Sequence, residues 1–176
     1  MEDILILAID IGNTNIVVGC IRGDEVLFTE RLSTNTTHTT LEYAISFKNV
    51  LEIYQIDAKE IEGAIISSVV PPITNVIRDS IHKITDAEVL IVGPGVKTGI
   101  RVTSENPREI GADRIVDVVA AYEKYGGPAL VIDFGTATTY DLVTGDGSFS
   151  VGITAPGIRI SAKALWEDTA KLPEIE

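Results

Sequence analysis

Ile9-Asp10-x-Gly12 and Ile132-Asp133-x-Gly135 are one signature written twice in a single chain. Each follows an apolar run (Ile4–Ile9, Leu130–Ile132), leads into a second strand-like run and reaches a Gly-Asp turn, at Gly23-Asp24 or at Gly145-Asp146-Gly147. The same four features in the same order, twice, indicate an internal duplication. Apolar runs rich in β-branched residues predict strands buried on both faces, so each carboxylate stands at a strand end inside a β-hairpin. After Asp10 come Ile11, Gly12, Asn13, Thr14 and Asn15, a tight turn that offers backbone N–H, amide and hydroxyl donors to an anion. Mg²⁺ sites use one or two carboxylates, mostly through water, together with substrate phosphates. The competing reading is an ordinary hairpin whose Asp and Asn cap a turn.

Two Asp-x-Gly hairpins facing each other across a cleft describe the phosphate-binding architecture of the actin, Hsp70 and sugar-kinase superfamily. The expected fold class is therefore α/β, a duplicated ribonuclease H-like fold with a mixed sheet and flanking helices. Ile16–Ile21 and Val26–Phe28 complete the first three strands. Thr39-x-x-Glu42 is a capping box, and Leu41, Ala44, Ile45, Lys48, Leu51 and Tyr54 predict a helix ending near Ile56. Gly63–Val70 is the fourth strand, ending at Ser67 and Ser68, which point toward the cleft or satisfy nearby backbone. Pro71-Pro72 opens a helix with Ile73, Ile77 and Ile81 on one face, and Glu88–Val92 is the fifth strand.

Gly93–Gly99 is glycine-rich but lacks the Walker spacing and reads as a connector that could also contact substrate. Asn106-Pro107-Arg108-Glu109 then predicts a capped helix start, with Ile115, Val118, Val119 and Tyr122 as its apolar face. Asp113 is presented away from that face. Gly111 inside a helix costs about 1 kcal/mol relative to Ala, which a packed or liganded backbone would explain. Asp113 and Arg114 otherwise read as surface charges. Gly126-Gly127-Pro128 ends the helix and opens the second copy, and a helix follows Ala155-Pro156-Gly157.

A net charge of −12 with scattered Lys and Arg argues against nonspecific nucleic-acid or anionic-membrane binding. The single Cys20 excludes an intrachain disulfide framework and reads as a small buried hydrophobe. No apolar run approaches the roughly 20 residues a span requires, and the start carries no signal peptide. The expected location is cytoplasmic.

Asp10–Asn15, Asn106–Arg114, Asp133–Thr139 and Pro156-Gly157-x-x-x-Ser161-x-x-Ala164-Leu165 occur in this order and span nearly the whole chain. Together they resemble type III pantothenate kinase, a family also called Bvg accessory factor. The resemblance implies ATP-dependent phosphorylation of pantothenate to 4'-phosphopantothenate, the first step toward coenzyme A. It implies that Asp10, Ile11, Gly12, Asn13, Thr14, Asn15, Ile16 and Val17 form the first phosphate loop, with Asp10 near Mg²⁺ through water. Gly135 and Thr136 would meet ATP, and Asp133 would help bind a monovalent cation, K⁺ or ammonium. Gly111, Ala112, Asp113 and Arg114 would contact pantothenate, with Asp113 as general base. A homodimer is implied as well.

Two departures stand out. Ser104 replaces the aromatic contact, typically Tyr, that the family places before Gly-Ala-Asp-Arg. The family also continues past Leu172-Pro173 through a further helix. The expected organisation is a first half over 1–126 (βββαβαβα) and the beginning of a second over 127–176 (βββα), as in a truncated chain. Two rivals stay open: a non-catalytic regulatory protein on this fold, and another small-molecule kinase or an exopolyphosphatase of the superfamily. Retention of both loops and Asp113 favours the kinase, because a pure binder needs no base. Gly-Ala-Asp-Arg argues against the other enzymes.

Overall fold

The computed structural model describes residues 4–93, 95–103, 110–169, 171 and 173. The chain forms two compact units, Met1–Pro94 and Gly95–Glu176.

The first unit is built on a five-stranded sheet of order β3-β2-β1-β4-β5. Its strands are β1 (Leu5–Ile11), β2 (Asn15–Arg22), β3 (Glu25–Ser33), β4 (Gly63–Ser68) and β5 (Glu88–Ile91). β1 runs antiparallel to β2 and parallel to β4, so the sheet is mixed as expected. Gly23 takes φ +58° in the β2–β3 turn, a conformation glycine adopts without steric cost.

β1 is not buried on both faces. Leu5, Leu7, Ile9 and Ile11 are buried, while Ile6, Ala8 and Asp10 on the other face are half-buried. The reason is where the helices lie. α1 (Thr40–Ile53) and α2 (Pro71–Ile81) both bury against the Leu7–Ile9 face, with Tyr43, Phe47, Ile73, Ile77 and Ile81 in one core. Each such side chain contributes about 1.5–3 kcal/mol when fully buried.

The Thr39–Glu42 capping box forms, but α1 presents a face rotated from the expected one. Tyr43, Ala44, Phe47, Val50 and Leu51 are buried, whereas Leu41 and Ile45 are exposed. The two aromatics bury the most area, and the Tyr43 hydroxyl can go inside because it is satisfied there. It donates to the Asn35 carbonyl at 2.8 Å and accepts from the Asn35 N–H at 3.0 Å.

The second unit holds a four-stranded sheet of order β6-β9-β8-β7. Its strands are β6 (Arg101–Val102), β7 (Ala129–Phe134), β8 (Ala137–Val143) and β9 (Ser148–Pro156), with helices α3 (Ala112–Tyr125) and α4 (Ile158–Glu167). α3 packs on β7 and β8 through a small core of Val118, Val143 and Phe149, joined by Ile110, Tyr122, Ala129 and Val131. That packing groups α3 with the second sheet, whereas the repeat counts it with the first copy.

Leu130, Ile132 and Phe134 correspond by the repeat to the buried Leu7, Ile9 and Ile11, yet they are 58%, 43% and 67% exposed. Among the described residues, no counterpart of α1 and α2 covers them.

Candidate active site

The first Asp-x-Gly turn is braced from β3. The Gly12 N–H donates to the Asn15 carbonyl at 3.0 Å, the Thr34 N–H to the Thr14 carbonyl at 3.0 Å, and the Thr34 hydroxyl to the Gly12 carbonyl at 2.6 Å. A Cβ on Gly12 would lie 3.0 Å from the Asn15 carbonyl oxygen, so the turn closes this tightly only with glycine. Ile11 and Ile16 anchor both ends in the core, while Asn13, Thr14 and Asn15 face outward. Anchored ends and exposed polar residues make a loop that can receive an anion without reorganising.

Asp10 pairs in register with Ser67 on the parallel neighbour β4. Ser67 and Ser68 divide the roles that the sequence left open. Ser68 Oγ accepts from the Val70 N–H at 3.1 Å and meets Thr74 Oγ1 at 2.7 Å, so it satisfies the backbone just before α2. Ser67 is 6% exposed, and its hydroxyl has no hydrogen-bond partner among the described residues. A buried hydroxyl left unpaired is costly, and this one lies next to Asp10 across the β1–β4 pairing.

The second turn repeats the first in shortened form: the Gly135 N–H donates to the Ala137 carbonyl at 2.9 Å. Asp133, Gly135 and Thr136 are exposed. A Cβ on Gly135 would stand 3.5 Å from both Asp133 Oδ2 and the Ala137 carbonyl oxygen, so the missing side chain leaves room beside two hard oxygen donors. The start of α4 closes on this turn. The Gly157 N–H donates to the Thr136 carbonyl at 3.1 Å, and a Cβ on Gly157 would overlap the carbonyl oxygens of Gly135 and Thr136.

α3 begins later than the sequence predicts. Gly111 is its N-cap, with φ −61° and ψ 150°, and Ala112 is the first helical residue. Gly111 therefore carries no interior-helix cost. The expected cap at Asn106, Pro107 and Glu109, and Ser104 with it, lie outside the described residues. Asp113 sits in the first turn, where the helix dipole favours a carboxylate, and its Oδ1 accepts from the Arg114 N–H at 2.8 Å.

Arg114 is not a surface charge. Its side chain is 16% exposed and pairs with Asp141 of β8, which is 2% exposed. Nε donates to Asp141 Oδ1 at 2.9 Å and to Oδ2 at 3.1 Å, and Nη2 donates to Oδ1. Nη1 reaches Thr154 Oγ1 at 3.2 Å, and Nη2 reaches the Ile153 carbonyl at 3.5 Å. Gly152 on β9 makes room, since a Cβ there would overlap Nη2 and lie 3.1 Å from both Cζ and Asp141 Oδ1. A buried ion pair is weak grounds for stability because desolvation opposes the attraction; what this one does is hold α3 to the sheet.

Sequence reasoning missed Thr34, Asp141 and Gly152, whose partners are remote in the chain. Cys20 is buried as expected, and burial pushes its thiol pKa up. His38 packs edge-on to Tyr43. Among the described residues, no helix is long and apolar enough to cross a membrane.

The family model for type III pantothenate kinase matches residues 6–176. The chain belongs to the type III pantothenate kinase family. A type III pantothenate kinase of Agathobacter rectalis is 56% identical over 172 residues, which is 98% of this chain and 66% of the relative. One from Moorella thermoacetica is 47% identical, covering 98% of this chain and 68% of its own length. The chain thus spans about two thirds of the curated relatives it matches. Among solved structures, a reductive activator for a corrinoid, iron-sulfur protein aligns with TM-score 0.54 and 15% identity, over 88% of this chain and 32% of that one. That likeness concerns the fold alone, which is the expected actin/Hsp70/sugar-kinase-like α/β fold with mixed sheets and flanking helices.

Proposed function

We propose that this chain carries the machinery for ATP-dependent phosphorylation of pantothenate to 4'-phosphopantothenate, the entry step of coenzyme A biosynthesis. The observation that carries the reading is a first-turn carboxylate, Asp113, on a helix held to the second sheet by a buried ion pair, in a chain that also bears two Asp-x-Gly turns. Phosphoryl transfer needs little covalent help from a protein; it needs positioning and charge stabilisation.

Asp10, Ile11, Gly12, Asn13, Thr14, Asn15, Ile16 and Val17 hold the nucleotide phosphates, the two isoleucines through their backbone because their side chains are core. Gly135 and Thr136 meet ATP from the second turn. Gly111, Ala112, Asp113 and Arg114 receive pantothenate, and Ser104 stands where a family aromatic would contribute. Asp113 accepts the proton of the primary hydroxyl as the hydroxyl oxygen attacks the γ-phosphorus, and the bond from the γ-phosphorus to the bridging oxygen breaks to release ADP.

The residues fit a Mg²⁺ ion bound with substrate, since such sites need only one or two carboxylates and keep their waters. Asp10 would hold it through water, and the unpaired Ser67 hydroxyl suits an adjoining water. When bound, the metal neutralises charge on the phosphates. Asp133 and the Ala137 carbonyl, beside the space at Gly135, suit a monovalent cation, K⁺ or ammonium. The reading includes a cytoplasmic homodimer that binds neither nucleic acid nor membrane, in keeping with the net charge of −12.

The test is ATP-dependent phosphorylation of pantothenate with Mg²⁺ and with K⁺, ammonium or Na⁺, measured on the 176-residue chain and on the product of the complete reading frame. Turnover that depends on the cation supports the reading. No turnover by either protein, with both folded, overturns it in favour of a regulatory role.

A further inference from the structure

We propose that Asp141 is a positioning residue for the acceptor end of the site, acting through Arg114 to clamp the first turn of α3, and Asp113 with it, onto the β8–β9 hairpin. The proposal rests on reading Gly111–Arg114 as the pantothenate contact. A chain of hydrogen bonds carries it. Asp141 grips the Arg114 guanidinium through both oxygens, and the Arg114 backbone N–H in turn donates to Asp113 Oδ1 at 2.8 Å. The position of the Asp113 carboxylate is thus set by the residue that Asp141 holds.

The clamp is built rather than incidental. Asp141 is almost fully buried, the guanidinium passes over a position where only glycine fits, and β9 supplies Thr154 Oγ1 and the Ile153 carbonyl as further acceptors. A guanidinium has five N–H groups. One on Nε and two on Nη2 are spent on Asp141 and Ile153, and one on Nη1 is spent on Thr154. A single Nη1 N–H is left without a partner among the described residues. Asp141 thus occupies the Nε–Nη2 edge of the guanidinium, so that edge is not open for a two-pronged grip on a ligand carboxylate.

The experiment compares Asp141→Asn, Gly152→Ala, Arg114→Met and the Asp141→Asn/Arg114→Met double variant in the full-length protein. It reads kcat, KM for pantothenate and for ATP, and amide hydrogen exchange across residues 112–116. Misplacement of a reacting group by an ångström costs up to about a hundredfold, so kcat/KM for pantothenate should fall at least about tenfold in Asp141→Asn. KM for ATP should stay within about twofold, a split that general destabilisation does not produce.

Exchange at the start of α3 should quicken in the same variant. Gly152→Ala should give the same pattern with every charge retained, and it decides the matter where Asp141→Asn does not fold. The double variant should be no worse than Arg114→Met, because residues in one network do not add. Unchanged pantothenate KM and kcat with unchanged exchange in Asp141→Asn or Gly152→Ala overturns the clamp, as does additivity in the double variant. Wild-type protein that exchanges slowly at α3 but never phosphorylates pantothenate overturns the functional reading instead, while the exchange arm still decides the clamp.

Discussion

Gly157→Ala tests how closely the start of α4 is pressed onto the second Asp-x-Gly turn. Gly157 has φ −65° and ψ 161°, which any residue adopts, so the substitution introduces no backbone strain of its own. Its whole effect is steric. The new methyl would overlap the carbonyl oxygens of Gly135 and Thr136 and lie 2.8 Å from the Thr136 carbonyl carbon. These are backbone atoms of a tight turn held by the Gly135–Ala137 hydrogen bond, so they cannot rotate away as a side chain would. Forced overpacking of this kind costs about 1–3 kcal/mol, and three backbone contacts place it toward the upper end.

For a chain of this size, each kcal/mol corresponds to roughly 2–4 °C in Tm. The matched control is Gly93→Ala, where a Cβ meets nothing within 4 Å and φ is not positive. There the loss of unfolded-state freedom should stabilise by about 0.4–1 kcal/mol. Urea unfolding of both variants, with ATP affinity measured alongside, reads the difference. Gly157→Ala should lose stability and bind ATP more weakly, while Gly93→Ala should do neither. Equal stabilities for Gly157→Ala and the parent chain would refute the close approach of α4 to the turn.

Asp113→Asn should abolish pantothenate turnover while leaving circular dichroism and Tm near those of the parent, and an active variant would remove the base assignment. Ser67→Ala deletes a buried hydroxyl that lacks a partner, so stability should hold or rise by up to about 1 kcal/mol, while the Mg²⁺ concentration needed for ATP binding increases; a clear fall in Tm would count against this. Thr39→Ala should cost about 1 kcal/mol in urea unfolding. Glu42 is held below its ordinary pKa of 4.5, first by the Thr39 backbone N–H and then by the Thr39 hydroxyl. Its folded pKa being the lower one, its contribution is fully present above about pH 4.5 and is lost as pH falls through the folded value. The pH dependence of unfolding below pH 4.5 should accordingly be shallower in Glu42→Gln.

Much of the architecture follows from local rules. The capping box at Thr39 and Glu42, Pro71 at the head of α2, the face of Ile73, Ile77 and Ile81, and the turn at Gly23 all formed as read. Each depends on residues within a few positions of one another, where propensity and turn chemistry operate directly. The rotated face of α1 shows the limit. Periodicity admits several apolar stripes, and the one that is buried depends on whether a polar tip such as the Tyr43 hydroxyl finds a partner inside.

By itself, then, the sequence determined the order of the strands and helices other than β6, the two Asp-x-Gly turns and the family to which they belong. The tertiary structure alone decided that Arg114 is a buried clamp rather than a surface cation, and that Arg101 and Val102 pair with β9. The physical reason is range. Asp141 is 27 positions from Arg114 and Ser148 is 47 from Arg101, and no local period or turn preference selects a partner at that separation. Only the packing of α3 on the second sheet and the pairing of β6 with β9 bring those groups within hydrogen-bond reach.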